Sequence, residues 1–172
     1  MRPVLNAIGI IALLISLSPA SFALQQDFKE KIHIVSNSTI YDYKSGKNVF
    51  EGDVKVDQGT THITCAKLVT KTNAQHQLQE AIAYGDDRQP AHYWTTPKLG
   101  DRVVNATANI IKYYPIDGNI ILQNNVYVTQ GENSFQGELI LYNMSNQVIT
   151  VPASNNGRAV LVYNPDEDKS KS

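Results

Sequence analysis

The chain has 172 residues, with 16 acidic against 15 basic side chains, a net charge of −1, and a single cysteine. A nearly neutral product has no electrostatic footprint for nucleic acid. One cysteine excludes an internal disulfide, so burial and hydrogen bonding must hold the fold together. Cys65 lies between Ile63 and Leu68 in an apolar run with no cationic cluster beside it, so it reads as a small buried hydrophobe.

Residues 1–23 carry Arg2, an uncharged run from Ile8 to Leu17, and small residues at Ser21 and Ala23. This is the pattern of a cleavable secretory signal, its apolar run being short for a membrane span. The expected domain is 24–164. Ile32 and Ile34 open a first strand. Phe50, Val54 and Val56 then recur at every second position against Glu51, Asp53, Lys55 and Asp57, which is a strand with one wet face. The run 63–69 breaks phase, because Cys65 and Leu68 are three apart, and a bulge near Ala66-Lys67 restores it. The stretch 74–83 has only Leu78 and Ile82 for a helical stripe, so a strand or hairpin is at least as well supported. A turn at Asp86-Asp87-Arg88-Gln89-Pro90, an aromatic strand at Ala91-His92-Tyr93-Trp94 and a loop at 95–101 follow. Beyond Tyr163, residues 165–172 are charged and have nothing to bury, which predicts a disordered tail.

The second half repeats the first. Residues 104–141 align on 32–69 without a gap at an offset of 72, pairing Asn37/Asn109, Tyr41/Tyr113, Gly46/Gly118, Val54/Val126, Val56/Val128, Gln58/Gln130 and Gly59/Gly131 as identities. The paired glycines fall in turns and the paired apolar residues fall between them, as in units that stack around a shared core or surface. Turn signals at roughly 8–13-residue spacing point to an antiparallel all-β domain.

Chemistry is sparse. His33, His62, His76 and His92 have no zinc-ligand spacing to one another or to Cys65, so neither a metal nor a cofactor is expected. There is no Gly-x-Ser-x-Gly elbow and no phosphate-binding loop, and the acids read as solvated strand-face or turn residues. An enzyme is not expected. The bulky apolar residues could close a sandwich core or line a parted groove, and periodicity alone does not choose. A rival reading is a secreted carbohydrate-binding β-sandwich, with its site at Tyr93-Trp94 beside Asp86 and Asp87.

Ile32-His33-Ile34, the motif Phe50-x-Gly52-x-Val54-x-Val56-x-Gln58-Gly59, its echo from Leu122 to Gly131, and the segment from Tyr84-Gly85 to Pro90-Ala91 together resemble the OstA-type domain family of lipopolysaccharide-transport proteins, from about Ile32 to Val162. The resemblance implies a single elongated antiparallel β-jellyroll, open along one side and built from two related repeats. It further implies a periplasmic protein whose apolar interior receives the acyl chains of lipid A. The groove residues it implies are Ile32, Ile34, Tyr41, Phe50, Val54, Val56, Ile63, Tyr93, Tyr113, Leu122, Val126, Val128 and Phe135. Head-to-tail self-association through strand edges is also implied, with Ile32 and Val35 at one edge and Ala159, Val160, Leu161 and Tyr163 at the other. The implied partners are lipopolysaccharide, an inner-membrane protein of the LptC type and an outer-membrane protein of the LptD type. One departure is His92, which stands where members of the family can carry Phe.

Overall fold

The structure, a computed structural model, describes residues 30–96, 101–146, 148–153 and 157–165. The expected signal segment and all of the expected tail except Pro165 lie outside these residues. Twelve antiparallel strands are described: β1 (His33–Val35), β2 (Ser38–Tyr41), β3 (Lys47–Gln58), β4 (Thr61–Thr72), β5 (Leu78–Tyr84), β6 (Ala91–Thr95), β7 (Val104–Ala108), β8 (Ile110–Tyr114), β9 (Asn119–Gln130), β10 (Asn133–Asn143), β11 (Val148–Thr150) and β12 (Val160–Val162). The stretch 78–83 is strand rather than helix, and the aromatic segment after Pro90 is β6.

The 72-residue repeat is a six-strand unit used twice. Each unit runs as a split strand, a long hairpin and a second split strand: β1/β2, β3–β4 and β5/β6, then β7/β8, β9–β10 and β11/β12. The two units join where β5 pairs with β8 and β6 with β7. Equivalent backbone bonds recur at the repeat offset. The Asn37 N–H donates to the Gly52 carbonyl at 3.0 Å and the Asn109 N–H to that of Asn124 at 2.9 Å. Likewise the Thr72 N–H donates to the Gly46 carbonyl at 2.9 Å and the Met144 N–H to that of Gly118 at 2.8 Å.

A crease crosses the middle of the long strands. Gly52 and Asp53 hold φ of 80° and 45°, and their repeat mates Asn124 and Asn125 hold 63° and 54°. These pairs sit where the ladders shift register. Glu51 pairs with Lys67 and Val54 with Cys65, so Gly52-Asp53 together oppose Ala66. In β9 and β10, Gln123 pairs with Leu139 and Val126 with Gly137, so Asn124-Asn125 oppose Glu138. The extra residue expected near Ala66-Lys67 therefore belongs to the facing strand. Inserting two residues against one leaves the alternation of β3 intact and shifts that of β4.

The crease divides the sheet into two halves whose inner faces carry continuous cross-strand rows. One half carries Phe50, Leu68, Ala83, Ile111, Leu122 and Ile140 in register from strand to strand. The other carries Ile34, Val56, Ile63, Tyr93, Ala106, Val128, Phe135 and Leu161. Burial is deepest beside the crease, with Val54 and Cys65 1 % exposed, Leu68 and Ile140 2 % and Val126 fully buried. Burying such a side chain stabilises the fold by about 1.5–3 kcal/mol. Among the described residues no ladder joins β1 or β2 to β11 or β12. The sheet is thus an unclosed jellyroll with two free edges.

Candidate functional site

The halves part on the side away from the crease, leaving a cavity of about 350 Å³ between them. One wall comes from the row Ile34, Val56, Ile63 and Tyr93, with Ile32 beside it. The facing wall is the row Tyr41, Asn48, Thr70, Ala81, Tyr113 and Ile120, again in register across six strands. Phe50, Leu68 and Ile111 form the floor at the crease. Period-two alternation aims every second side chain of each strand at this space and sends the charged alternates Glu51, Lys55 and Asp57 to solvent.

Eight of the expected groove residues line the cavity: Ile32, Ile34, Tyr41, Phe50, Val56, Ile63, Tyr93 and Tyr113. The other five do not. Val54, Leu122 and Val126 are sealed in the core, while Val128 and Phe135 pack against it in the second repeat. The physical reason is position along the strand: Val54 and Val126 flank the crease, where the two halves touch and leave no space. Tyr41 is 55 % exposed and stands at the mouth, its ring 4.5 Å from that of Tyr43. Burial pushes the Tyr113 phenol well above its usual range.

Sequence reasoning missed several lining residues. Asn48 and Thr70 share inward parity with Phe50 and Leu68, but as polar residues they carried no apolar signal. Ile111 and Ile120 are the repeat mates of Thr39 and Asn48, so the alignment matched neither to an apolar partner. A second recess, of about 480 Å³, lies between Tyr114, Asn119, Leu141, Tyr142 and Val148 towards the β11 edge.

The rival sugar platform does not assemble. Tyr93 faces the cavity, whereas its neighbour Trp94 points to the opposite face. There the indole stacks with two imidazoles, with centroids 5.1 Å from His62 and 4.7 Å from His92, and is half-buried among them. His92, where an apolar residue was a family option, is used on this outer side and sits 3.4 Å from the Asn105 amide oxygen. Asp86 accepts hydrogen bonds from Arg88 and from the Gln89 backbone, which hold its carboxyl below the usual range in a closed turn. Among the described residues no cluster of His, Cys, Asp and Glu could hold a metal ion.

Comparison with known proteins agrees with this geometry. The model of a family described as LptA/(LptD N-terminal domain) LPS transport protein matches residues 33–148. The lipopolysaccharide export system protein LptH of Pseudomonas aeruginosa is 30 % identical over 142 residues, spanning 83 % of this chain and 77 % of the relative. The lipopolysaccharide export system protein LptA of Escherichia coli K12 is 28 % identical over 168 residues, spanning 97 % and 88 %. The crystal structure of LptH, the LptA homologous periplasmic component of the Pseudomonas aeruginosa lipopolysaccharide transport device, superposes with a TM-score of 0.72 at 26 % identity, covering 81 % of this chain and 99 % of that one. Repeat, unclosed jellyroll and sequence similarity converge, and the chain belongs to the LptA/LptD N-terminal-domain family of LPS transport proteins.

Proposed function

We propose that the protein carries lipopolysaccharide across the periplasm by sheltering the acyl chains of lipid A in the cavity above the crease, while the sugars stay outside. The observation that carries this reading is the pair of facing apolar rows, Ile34–Val56–Ile63–Tyr93 against Ala81–Tyr113–Ile120, held apart over a built floor. Moving an acyl chain out of water is worth about 0.8 kcal/mol per methylene. A lipid with a dozen methylenes per chain therefore does not cross an aqueous gap unshielded. Transfer between like grooves is close to isoenergetic, so direction comes from outside this chain.

The same reading makes the two free edges the points of assembly, β1/β2 towards an inner-membrane partner of the LptC type and β11/β12 towards an outer-membrane partner of the LptD type, with copies stacked between. Val35, Ile40, Val160 and Leu161 on these edges are 63 %, 67 %, 49 % and 60 % exposed, which supports edge pairing. The deciding experiment is titration of the protein with intact lipopolysaccharide and with the same material stripped of its acyl chains. Binding to the acylated form alone is expected. Equal binding to both would shift the assignment to a sugar-binding sandwich.

A further inference from the structure

The second recess, of about 480 Å³, has the size of a small-molecule site and a lining unlike that of the cavity. It lies on the back of the same wall. Tyr113 and Met144 line the cavity, their chain neighbours Tyr114 and Asn143 line the recess, and Ile120 borders both. The turns that follow Tyr114 and Asn143 form the lip between the two spaces. They are tied together where the Met144 N–H donates to the Gly118 carbonyl at 2.8 Å.

The recess joins an apolar floor to a fixed set of polar groups. Ile121 and Leu141 stand in register on the outer face and supply the floor. At the rim, Asn143 Oδ1 accepts the backbone N–H groups of Ser145 and Asn146, each at 3.0 Å, which fixes the plane of its amide. Its Nδ2 then donates to Asn119 Oδ1 at 2.9 Å. That leaves Asn119 Nδ2 without a hydrogen-bond partner among the described residues, and the Asp117 carboxylate at the same rim is likewise unbonded. None of the described lining residues is Lys or Arg. The first unit differs. There the repeat mates of Asn119 and Asn143 are Lys47 and Lys71, in register with each other beside the matching apolar pair Val49 and Val69. The fold thus accepts lysines at this place, so the amide pair is not needed to build the hairpin.

A donor and an acceptor held over an apolar floor match a sugar ring, whose hydroxyls both donate and accept while its C–H face is apolar. With a carboxylate at the rim and no cation to offset it, a phosphate or an acidic sugar is disfavoured. We propose that this recess is a binding site for a neutral saccharide. Two sources share that chemistry: the sugars of a lipid whose acyl chains sit in the cavity, folded over the lip, or a free glycan. The site stands apart from the groove reading, which enters only through the first source.

The test follows the side-chain amide NMR signals of Asn119 and Asn143 as maltose or glucuronic acid is added to the protein at millimolar concentration, the range for a small neutral sugar. Maltose is expected to shift them and glucuronic acid to leave them in place. Asn119→Lys, which copies the first unit, should abolish the shift at Asn143. Maltose shifts centred on the Trp94 indole, or equal shifts from both sugars, would overturn the inference. The source is read with dodecyl maltoside and a dodecyl polyoxyethylene ether, which carry the same tail, both below their micellar concentrations. About fivefold tighter binding of the maltoside, lost in Asn119→Lys, supports the site and makes the sugar the headgroup of a cavity-bound lipid. Equal binding of the two beside a maltose shift supports the site and makes its ligand a free glycan. Neither a maltose shift nor a maltoside preference would sink the site while leaving the groove intact. Failure of both amphiphiles to bind counts against the groove reading alone, because the maltose titration still decides the recess. The wild-type arms decide the matter even if the variant does not fold.

Discussion

Cys65 lies opposite Val54 at the crease, 1 % exposed, and burial pushes its thiol up to about 12 from an ordinary value of 9.0. A thiol held neutral in the fold stabilises it while the unfolded chain's thiol is also neutral, and that contribution is lost as pH rises. The window runs from about pH 9, where the unfolded thiol begins to ionise, to about pH 12, where the folded one follows. Urea denaturation measured across this window is expected to show falling stability in the wild type and a shallower fall in Cys65→Ala. Identical slopes would mean that the thiol is not sequestered. Position between Ile63 and Leu68 made this burial legible in the sequence, because no neighbouring cation argued for a reactive thiol. The amide of Asn48 was not legible, because inward parity and polarity conflict at that position, and parity decides.

At the scale of elements, the crease is the feature on which the cavity depends, and it was only half visible. The sequence showed a phase slip between Cys65 and Leu68 but could not assign it to a strand. Two residues against one preserve alternation in β3, so the strand containing the insertion looks regular and its partner looks faulty. Asn125 and Asp53 likewise resembled ordinary wet-face residues, although they hold left-handed backbone. At Gly52 the conformation is demanding, because a Cβ there would come within 2.6 Å of Asn37 Nδ2 at a φ of 80°. Valine in such a backbone costs about 1–3 kcal/mol. Asparagine tolerates it better, and Asn124 occupies the equivalent place facing Asn109. Gly52→Asn is therefore expected to lose less stability than Gly52→Val in chemical denaturation. Equal losses would show that crowding at Asn37, rather than backbone handedness, governs the crease. The turns at Gly46 and Gly118 needed no such inference, since paired glycines between alternating runs state them directly.

For the whole molecule, the row that begins at Ile34 on one free edge ends at Leu161 on the other, so a copy added at either edge extends the same inner face. Two different edges in contact make a heterologous interface, which propagates rather than closing as a pair. Sequence similarity placed both edges, yet only the topology shows them to be the two ends of one continuous sheet. A lysine on an exposed edge strand blocks pairing at little cost to the fold, and Val35 and Leu161 are 63 % and 60 % exposed. Val35→Lys leaves the β12 edge usable, and Leu161→Lys leaves the β1 edge usable. Each variant alone is expected to be monomeric by light scattering at concentrations where the wild type associates. Mixed in equal amounts, they should form a heterodimer and nothing larger, because one intact edge of each kind remains. An edge that paired with itself would instead leave one variant able to dimerise alone, and that result would replace head-to-tail stacking with a closed, symmetric pair. Association of both variants as strong as the wild type's would remove the edges from the assembly altogether. The heterodimer is the outcome expected if the proposed head-to-tail stacking joins the two ends of the row that runs from Ile34 to Leu161.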